Sequence, residues 1–554
     1  MRGGICFRVR IAFAIPLCVL AAAGMDWEPI GPFGGSVAVV AVDPHRAGAV
    51  VAAAANSLLF RSADGGETWT ALPFPAETRA VLHAFAIHPA EAGVYLAGLA
   101  GESPRYTGLF RSGDAGATWR RLEGLGAIEV WSLAFWPGDA RVIAAGTRDG
   151  VFLTRDDGAT WNRISEAGNR ELQPVVSLAF DPRDSGVLYA GTPHLPWKTA
   201  DGGKTWRSIR AGMLDDSDVF SIQVDPVRPD RVFASACSGM YRSVNGGLRW
   251  TKLTGARGAS YRTYFIAQMP GRASTLFAGT TYGLVQSLDG GTRWRKIGTQ
   301  AARSIAFDPA QPGRFFVATD DAGVLRSDDG GVTLKAVNEG LCNRYLASMA
   351  AGNGGLVASA TNGAYRLDAG GRWERIAGKA EAARVLAPVP GAPESVYSAS
   401  RKEVMFSPDA GKTWKTAGTI PGNTAIYGLA ALDGRALLAA TSAGLMRSED
   451  SGATWAPVPG ILENSRISAL VRHSGKAGTL FAARYGVIYA SGDGGNSWAR
   501  ISPGKSVMGV VTQLVVMGGR PDRLYALTGR KGVFRLDLTP PAAARTNRSA
   551  SPRP

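Results

Sequence analysis

Several acidic residues stand in segments where a pair of carboxylates could act on a substrate. Hydrolysis of a glycosidic bond needs two carboxylates across a cleft, one as proton donor and the other as base or nucleophile. The candidates lie in loops between predicted strands: Asp215, Asp216 and Asp218 in one, Glu129 in a second, Asp320 and Asp321 in a third. Their number does not establish a catalytic pair, because acidic residues are mostly exposed in any soluble protein.

Arginine recurs at or just before the predicted first strand of successive repeats, and its planar guanidinium suits carboxylate, sulfate or phosphate groups. These arginines are Arg262, Arg303, Arg344, Arg384 and Arg466. If their side chains converge, they form a positive mouth for an anionic ligand. The alternative is a set of independent surface or packing arginines, since neighbouring residues of a strand point to opposite faces.

Two longer loops on the same predicted face carry aromatic side chains beside polar ones. The first contains Glu102, Arg105 and Tyr106, and the second contains His194 and Trp197. An aromatic ring next to polar groups suits a sugar ring or a peptide side chain. The competing interpretation is that both loops are solvated insertions.

Other kinds of chemistry find little support in the residue pattern. The five histidines show no metal-ligand spacing with cysteine or with each other. There is no Gly-x-Ser-x-Gly elbow, and the glycine-rich turns lack the Lys-Ser/Thr of a phosphate loop. We therefore expect no metal site and no cofactor. The formal charge of +16 favours acidic ligands, but no Lys/Arg run indicates specific binding of nucleic acid.

One repeated motif organises the chain. The pattern Ser/Thr-x-Asp-x-Gly-x-Thr-Trp occurs eleven times, at intervals of 39 to 50 residues, with four drifted copies. Leu334, for example, replaces the tryptophan of the seventh copy. The acidic or amide residues of the motif are Asp64, Asp114, Asp156, Asp201, Asn245, Asp289, Asp329, Asp368, Asp409, Asp450 and Asp493.

Each motif lies between short apolar stretches that alternate and are punctuated by Gly, Asp and Pro, which indicates antiparallel strands. The motif is then the turn between a third and a fourth strand, in which Asp accepts backbone N–H groups and Trp packs into the sheet. Four strands in a period of about 40 to 45 residues are typical of a β-propeller blade. The predicted fold class is all-β.

The motif and its spacing resemble the Asp-box, or BNR, repeat of sialidases, sortilin-type receptors, xyloglucanases and photosystem II assembly propellers. The resemblance extends to about Asp537 and implies that the eleven motif residues are structural, on the face opposite the usual binding face. It carries no activity across, because the repeat occurs in enzymes, receptors and assembly factors. The Arg-Ile-Pro opening of sialidases is missing, and residues 31–60 lack the catalytic aspartate context of xyloglucanases.

The repeat predicts about twelve blades over residues 25–538. The strand set after Trp498 lacks a fourth strand, and Trp27 begins a segment with the form of one, so we expect the N-terminal strand to complete the last blade. A single ring usually holds four to eight blades. Two packed propellers, such as six plus six, are therefore the first interpretation, with a boundary near 295–345. One large ring is the alternative.

The two ends of the chain are expected to lie outside the propeller. Residues 1–24 have the basic start, apolar run and small closing residues of a signal peptide. Residues 539–554 are rich in Pro, Ala and Arg and predict a disordered tail. We therefore expect a secreted or periplasmic protein of the cell envelope, without a stable membrane anchor after signal cleavage.

Two functions are consistent with these patterns. The first is an exported, non-catalytic propeller that binds a protein or polysaccharide ligand, which can be acidic. The second is a glycoside hydrolase of the sialidase or xyloglucanase-like type, with Asp215, Asp216 and Asp218 as candidate catalytic residues. The sequence supports the first because it offers complete blades without a transferable catalytic set.

Overall fold

The computed structural model describes residues 27–74, 79–214, 217–254, 262–352, 355–360, 363–368, 371–376, 385–400, 402–409, 412–422, 424–460, 462–501, 509–518, 522–529 and 531–538. The predicted signal peptide and the predicted tail lie outside these residues. Three candidate site residues, Asp215, Asp216 and Arg384, also lie outside them.

The described residues form twelve four-stranded sheets. Each sheet is a blade, and in eleven of the twelve the strands are consecutive in the chain and the Asp-box turn joins the third strand to the fourth. The all-β propeller architecture expected from the repeat is thereby confirmed. In the described part of the chain, three short 3-10 helices lie in loops, at Pro104–Tyr106, Glu123–Leu125 and Arg170–Leu172.

The blades fall into two compact units of unequal size. One unit is the continuous segment Gly31–Arg344, and the other combines the chain up to Ile30 with the chain from Tyr345. Seven blades belong to the first unit and five to the second, in place of the expected six and six. The count of motifs could not predict this division, because it does not say which blades contact each other at ring closure. We call the units the seven-blade ring and the five-blade ring.

The seven-blade ring contains blades 1 to 7, and each blade consists of four strands in chain order. Blade 1 consists of Val39–Val42, Val50–Ala53, Leu59–Ser62 and Thr70–Leu72, blade 2 of Ala80–Ile87, Tyr95–Gly101, Gly108–Ser112 and Arg120–Arg121, and blade 3 of Val130–Trp136, Asp139–Thr147, Gly150–Thr154 and Asn162–Arg163. Blade 4 consists of Ser177–Asp181, Asp184–Thr192, Leu195–Thr199 and Arg207–Ser208, and blade 5 of Val219–Val224, Val232–Ala236, Gly239–Ser243 and Thr251–Lys252. Blade 6 consists of Thr263–Met269, Arg272–Thr280, Gly283–Ser287 and Arg295–Lys296, and blade 7 of Ala302–Phe307, Phe315–Thr319, Val324–Ser327 and Lys335–Ala336.

The five-blade ring contains blades 8 to 12, of which the last takes its outer strand from the N-terminal segment. Blade 8 consists of Leu346–Gly352, Gly355–Ala360, Gly363–Leu367 and Trp373–Ile376, and blade 9 of Val385–Val389, Ala392–Ser400, Glu403–Ser407 and Lys415–Thr419. Blade 10 consists of Ile426–Ala431, Leu437–Thr441, Gly444–Ser448 and Ala456–Pro457, and blade 11 of Ala469–Arg472, Leu480–Arg484, Val487–Ser491 and Ala499–Arg500. Blade 12 consists of Val511–Met517, Arg523–Thr528, Gly532–Asp537 and Glu28–Gly31.

Contacts between blades 7 and 1 close the seven-blade ring. The indole Nε1 of Trp69 donates to the carbonyl oxygen of Val337 at 2.7 Å, and both residues belong to a buried cluster shared by the two blades. A two-stranded parallel sheet, Gly34–Gly35 with Cys342–Asn343, joins the two ends of the segment. A Cβ atom at Gly35 would lie 2.0 Å from the carbonyl oxygen of Asn343, so this close approach requires glycine.

The N-terminal strand Glu28–Gly31 completes blade 12 beside Gly532–Asp537. Trp27 is 9% exposed and packs in a cluster of blades 11 and 12. The indole Nε1 of Trp373 in blade 8 donates to the carbonyl oxygen of Ile30 at 2.7 Å. Blade 12 has no Asp-box because its third and fourth strands lie at opposite ends of the chain.

The Asp-box turns repeat one set of hydrogen bonds, which blade 2 illustrates. Asp114 Oδ1 accepts the hydroxyl of Ser112 and the N–H of Thr118, each at 2.8 Å. The hydroxyl of Thr118 donates to Oδ2 at 2.6 Å. Donation from Thr118, and next from Ser112, lowers the pKa of Asp114 to about 2. Both carboxylate oxygens are thus engaged in holding the turn.

The opposite end of the blades is shaped by β-bulges. In eight of the twelve first strands, the register against the second strand shifts by one residue near the start of the strand. A bulge re-aims the side chain of the extra residue. The bulge residues are His83, Trp131, Phe220, Tyr264 and Arg303 in the seven-blade ring, and Ala347, Tyr427 and Thr512 in the five-blade ring.

Candidate functional site at the mouth of the seven-blade ring

The five bulge residues of the seven-blade ring line one cavity of about 600 Å³. The cavity lies where the first strands begin, and we call this end the mouth. Blades 1 and 4 contribute smaller residues, Ala38 and Val176. Six of the seven blades therefore present an apolar or aromatic side chain to the mouth, in the first strand or just before it, and Arg303 stands on the first strand of the seventh.

The aromatic rings at the mouth form two neighbouring pairs. The imidazole of His83 lies flat on the indole of Trp131, with centroids 4.1 Å apart and an interplanar angle of 11°. Phe220 and Tyr264 have their centroids 6.3 Å apart with the rings tilted by 51°. All four side chains are half-buried, so each keeps part of its surface open to a ligand.

Burial affects the ionisation of the stacked imidazole. Desolvation holds the pKa of His83 below its ordinary value, against an opposing contribution from the charge of Glu129. The neutral imidazole is the form favoured at neutral pH. The His83–Trp131 stack is therefore an uncharged, flat surface.

Two arginines at the mouth, Arg262 and Arg303, are each paired with a carboxylate and lie over an aromatic ring. Arg303 binds Asp320 through Nε and Nη2, at 2.5 and 3.0 Å, and its guanidinium lies 3.9 Å from the Tyr264 centroid. Arg262 Nη2 lies 3.5 Å from Asp218 Oδ2, and its guanidinium is 4.7 Å from the Phe220 centroid. These pairs supply hydrogen-bonding groups while their formal charges cancel.

Glu129 is the third carboxylate near the mouth. Its Oε1 lies 3.3 Å from Nη1 of Arg148, and its Oε2 accepts the indole N–H of Trp131 at 3.4 Å. The bond to Trp131 fixes the ring that His83 covers. Glu129 thus acts on the orientation of the aromatic pair.

Two candidates from the sequence, Tyr106 and His194, do not themselves line the cavity. The hydroxyl of Tyr106 accepts a hydrogen bond from Arg79 Nη1 at 3.0 Å, and the guanidinium of Arg105 lies 5.7 Å from its ring centroid. His194 is exposed in a turn next to Pro193, which lines the cavity. Asp321 is an exposed neighbour of Asp320.

Three other candidates have positions that do not form a common site with Arg262 and Arg303. Arg344 is 8% exposed and donates to the carbonyl oxygen of Phe33 at 3.2 Å, so it ties together the ends of the seven-blade segment. Trp197 is 8% exposed in the core of blades 3 and 4, and its burial corrects its assignment to a ligand surface. Arg466 belongs to the five-blade ring.

A further cluster of polar side chains has a structural explanation. Ligand atoms of His88, Glu91 and Asp157 lie within 4.8 Å of one another. Nη2 of Arg111 occupies the cluster, 2.7 Å from Asp157 and 3.2 Å from Glu91. Nδ1 of His88 accepts the N–H of Glu91 at 2.9 Å and so holds a turn. The guanidinium already supplies the positive charge that these carboxylates need.

The aromatic residues of the mouth were not among the candidates from the sequence, although a signal was present. Trp131 and Val176 are both followed by Ser-Leu-Ala-Phe, and Arg303 is followed by Ser-Ile-Ala-Phe. Phe220 is followed by the related Ser-Ile-Gln-Val. Alignment on this string would have placed these residues at equivalent positions.

No protein-family model and no curated protein matches the chain. Solved structures do match it. The GH74 xyloglucanase of Xanthomonas campestris is 19% identical, with 93% of each chain covered and a TM-score of 0.57. A GH74 enzyme of Niastella koreensis is 16% identical, and the match covers 93% of this chain and 100% of that enzyme's chain, with a TM-score of 0.61. An ancestral GH74 enzyme is 16% identical, with coverage of 94% and 99% and a TM-score of 0.60. At these identities the similarity shows the propeller fold.

Within the described residues, no helix has the length and apolarity needed to span a bilayer.

Proposed function

We propose that this chain is an exported, non-catalytic propeller that binds a polysaccharide at the mouth of the seven-blade ring. The observation that carries the proposal is the convergence of His83, Trp131, Phe220 and Tyr264 on one cavity from four different blades. Sugar rings present flat C–H faces that pack on aromatic rings, and hydroxyl groups that need polar partners. The signal peptide expected at residues 1–24 supports export.

The ion pairs of the mouth suit a ligand rich in hydroxyl groups. The guanidinium groups of Arg262 and Arg303 offer N–H donors, and Asp218 and Asp320 offer acceptor oxygens. Because each pair is neutral as a whole, the mouth does not require a charged ligand. A neutral stretch of polysaccharide therefore fits it better than a polyanion does.

The same ion pairs argue against hydrolysis at this mouth. A general acid or nucleophile must direct a carboxylate oxygen at the glycosidic bond. Oxygens of Asp218, Asp320 and Glu129 are instead occupied by guanidinium groups at 2.5 to 3.5 Å. Glycoside hydrolysis nevertheless remains the second function to test, because Asp218 lies in the loop from which the sequence suggested catalytic residues.

Binding to a panel of soluble polysaccharides, measured by affinity electrophoresis and calorimetry, tests the proposal. Trp131→Ala should weaken binding of the best ligand at least about tenfold, a loss of about 1.4 kcal/mol. Trp414→Ala is the matched control, since Trp414 is a 39% exposed tryptophan of the five-blade ring. It should bind like the wild type.

Three outcomes contradict the proposal. The first is unchanged binding by a folded Trp131→Ala variant, and the second is failure of the wild type to bind any polysaccharide, which would favour a protein ligand. The third is release of reducing ends by the wild type that is abolished in Asp218→Asn or Asp320→Asn, which would identify a hydrolase. Melting temperatures near that of the wild type exclude unfolding as the cause of a loss.

A further inference from the structure

The five-blade ring has its own axial cavity, of about 430 Å³. All five of its first strands line this cavity, from Ala347 in blade 8 to Thr512 in blade 12. Each of these strands is the edge strand of its sheet, so its outward backbone groups face the cavity without a neighbouring strand. Small residues such as Gly428 and Ala469 let the backbone approach an occupant closely.

Among the described residues, the charged side chain in this lining is positive. Arg472 lines the cavity, and no aspartate or glutamate does so among the described residues. The hydroxyl groups of Tyr427 and Ser474 lie in the lining as well. Those of Ser348 and Thr512 are engaged within their blades, with the hydroxyl of Ser359 and the carbonyl oxygen of Leu527. The mouth of the seven-blade ring differs in this respect, because Asp218 and Asp320 line it.

A second arginine stands at the start of the first strands. The guanidinium of Arg466 lies 4.3 Å from the ring centroid of Tyr427, which lines the cavity. Arg472 is near the other end of its strand and donates to the carbonyl oxygen of His473 at 3.4 Å. In the described part of the chain, neither arginine forms an ion pair with a carboxylate.

We propose that the axial cavity of the five-blade ring binds the oxyanion group of a small ligand, a carboxylate, sulfate or phosphate. A guanidinium without a carboxylate partner attracts an anion, and the low-dielectric walls of a cavity strengthen that attraction. Hydroxyl and backbone N–H donors complete the coordination of the anion's oxygens. This site is independent of the polysaccharide site, since it belongs to the other ring.

Calorimetry on the full chain at low ionic strength tests this site with three probes: inorganic sulfate, inorganic phosphate and glucuronate. Glucose, which has no carboxylate, is the matched neutral probe for glucuronate. At least one oxyanion should bind, with an affinity that falls as sodium chloride is added. Comparison of the three affinities identifies the class of oxyanion.

Variants of the arginines locate the binding. Arg472→Gln should weaken binding of the best oxyanion at least about tenfold. Arg466→Gln should have a smaller effect, because Arg466 stands at the other end of the strand and does not line the cavity. Arg472→Lys, which keeps the charge, should retain part of the affinity. Arg435→Gln is the control, since Arg435 is an exposed arginine in a turn of the same ring.

Four results would overturn the proposal. They are absence of oxyanion binding by the folded wild type, binding of glucose as tight as that of the best oxyanion, equal losses in Arg472→Gln and Arg435→Gln, and unchanged affinity in a folded Arg472→Gln variant. Melting temperatures of all variants establish that they are folded. Trp131→Ala should leave oxyanion binding unchanged, which separates this test from that of the polysaccharide site.

Discussion

The two rings are built from one repeat, yet they differ in what their axes present to a ligand. The seven-blade ring surrounds its mouth with His83, Trp131, Phe220 and Tyr264, and its arginines are paired with carboxylates. The five-blade ring has one aromatic lining residue, Tyr427, and no described carboxylate in its lining. The Asp-box turns at one end of the blades are thus alike in the two rings, and the residues at the bulged end are what differ.

Packing explains why the bulge position varies freely. The middle strands of the blades are buried on both faces, as in Val51–Ala53, where each residue is 0% exposed. A change there leaves a cavity or a clash. The bulge residues at the mouth, such as Trp131 and Phe220, are only half-buried, so their type is less restricted by packing.

The largest expected effect concerns the closure of the five-blade ring. This ring is closed by the N-terminal strand, whereas the seven-blade ring is one continuous segment. Trp27→Ala removes a 9% exposed indole from the core of blades 11 and 12 and should cost about 3–5 kcal/mol of unfolding free energy. Hydrogen exchange should quicken in the five-blade ring and stay unchanged in the seven-blade ring. Trp414→Ala is the control, and equally fast exchange in both rings would refute local closure by Trp27.

The next effect separates the two mouths by their aromatic residues. Tyr264→Ala removes a half-buried ring from the mouth of the seven-blade ring and should weaken polysaccharide binding about tenfold, or about 1.4 kcal/mol. Tyr427→Ala removes the bulge tyrosine of the five-blade ring and should leave that affinity unchanged. Similar losses in the two variants, measured by calorimetry, would mean that polysaccharide binding does not discriminate between the rings.

A smaller effect is expected when a carboxylate is removed from the mouth of the seven-blade ring, because the charge of the mouth then resembles that of the axial cavity of the five-blade ring. Asp320→Asn removes the carboxylate that binds Arg303, so the guanidinium is released from its ion pair. The variant should gain severalfold affinity for an acidic polysaccharide at low salt, and the gain should disappear as salt is added. Arg303→Gln should show no such gain. An unaltered preference in Asp320→Asn would show that charge pairing does not set ligand selection.

The smallest effect concerns the Asp-box turns, which both rings share. Donation by the hydroxyl and N–H of Thr454 lowers the pKa of Asp450 to about 2, against about 3.9 in an unfolded chain. The stabilisation is therefore complete above pH 4 and is lost as pH falls from about 4 to about 2. Asp450→Asn should show a weaker decline of melting temperature in this window. Asn245 already holds the equivalent turn of blade 5 through Ser243 and Arg249.

An identical pH profile for the Asp450→Asn variant and the wild type would contradict this assignment. The corresponding substitution of Asp114 in the seven-blade ring should behave in the same way, because its turn has the same hydrogen bonds and a pKa of about 2. A difference between the two variants would show that the shared turns contribute unequally in the two rings.

The blades were predictable from the sequence because the Asp-box is local. Ser112, Asp114 and Thr118 lie within seven residues, and their side chains determine the turn without help from distant segments. The burial of Trp197 was not predictable, because a tryptophan near a turn is compatible with either face of its strand. The structure places it in a core.

The composition of the candidate sites depended on long-range register. Phe220 reaches the mouth because a one-residue shift occurs between Val219 and Ser221, opposite the second strand. The types of these residues do not predict that shift in register. The division into seven and five blades depended on contacts such as Trp69 with Val337, which are 268 residues apart.

The strand Glu28–Gly31 has a consequence for the order in which the protein is made. The seven-blade ring is one continuous segment, so its last strand is synthesised soon after the first six blades are complete. The five-blade ring needs Gly532–Asp537 beside a strand that left the ribosome some five hundred residues earlier. Domains generally fold as units, in order of synthesis. The first ring can therefore assemble during translation, while the N-terminal strand remains without its partner strand until Gly532–Asp537 has been synthesised.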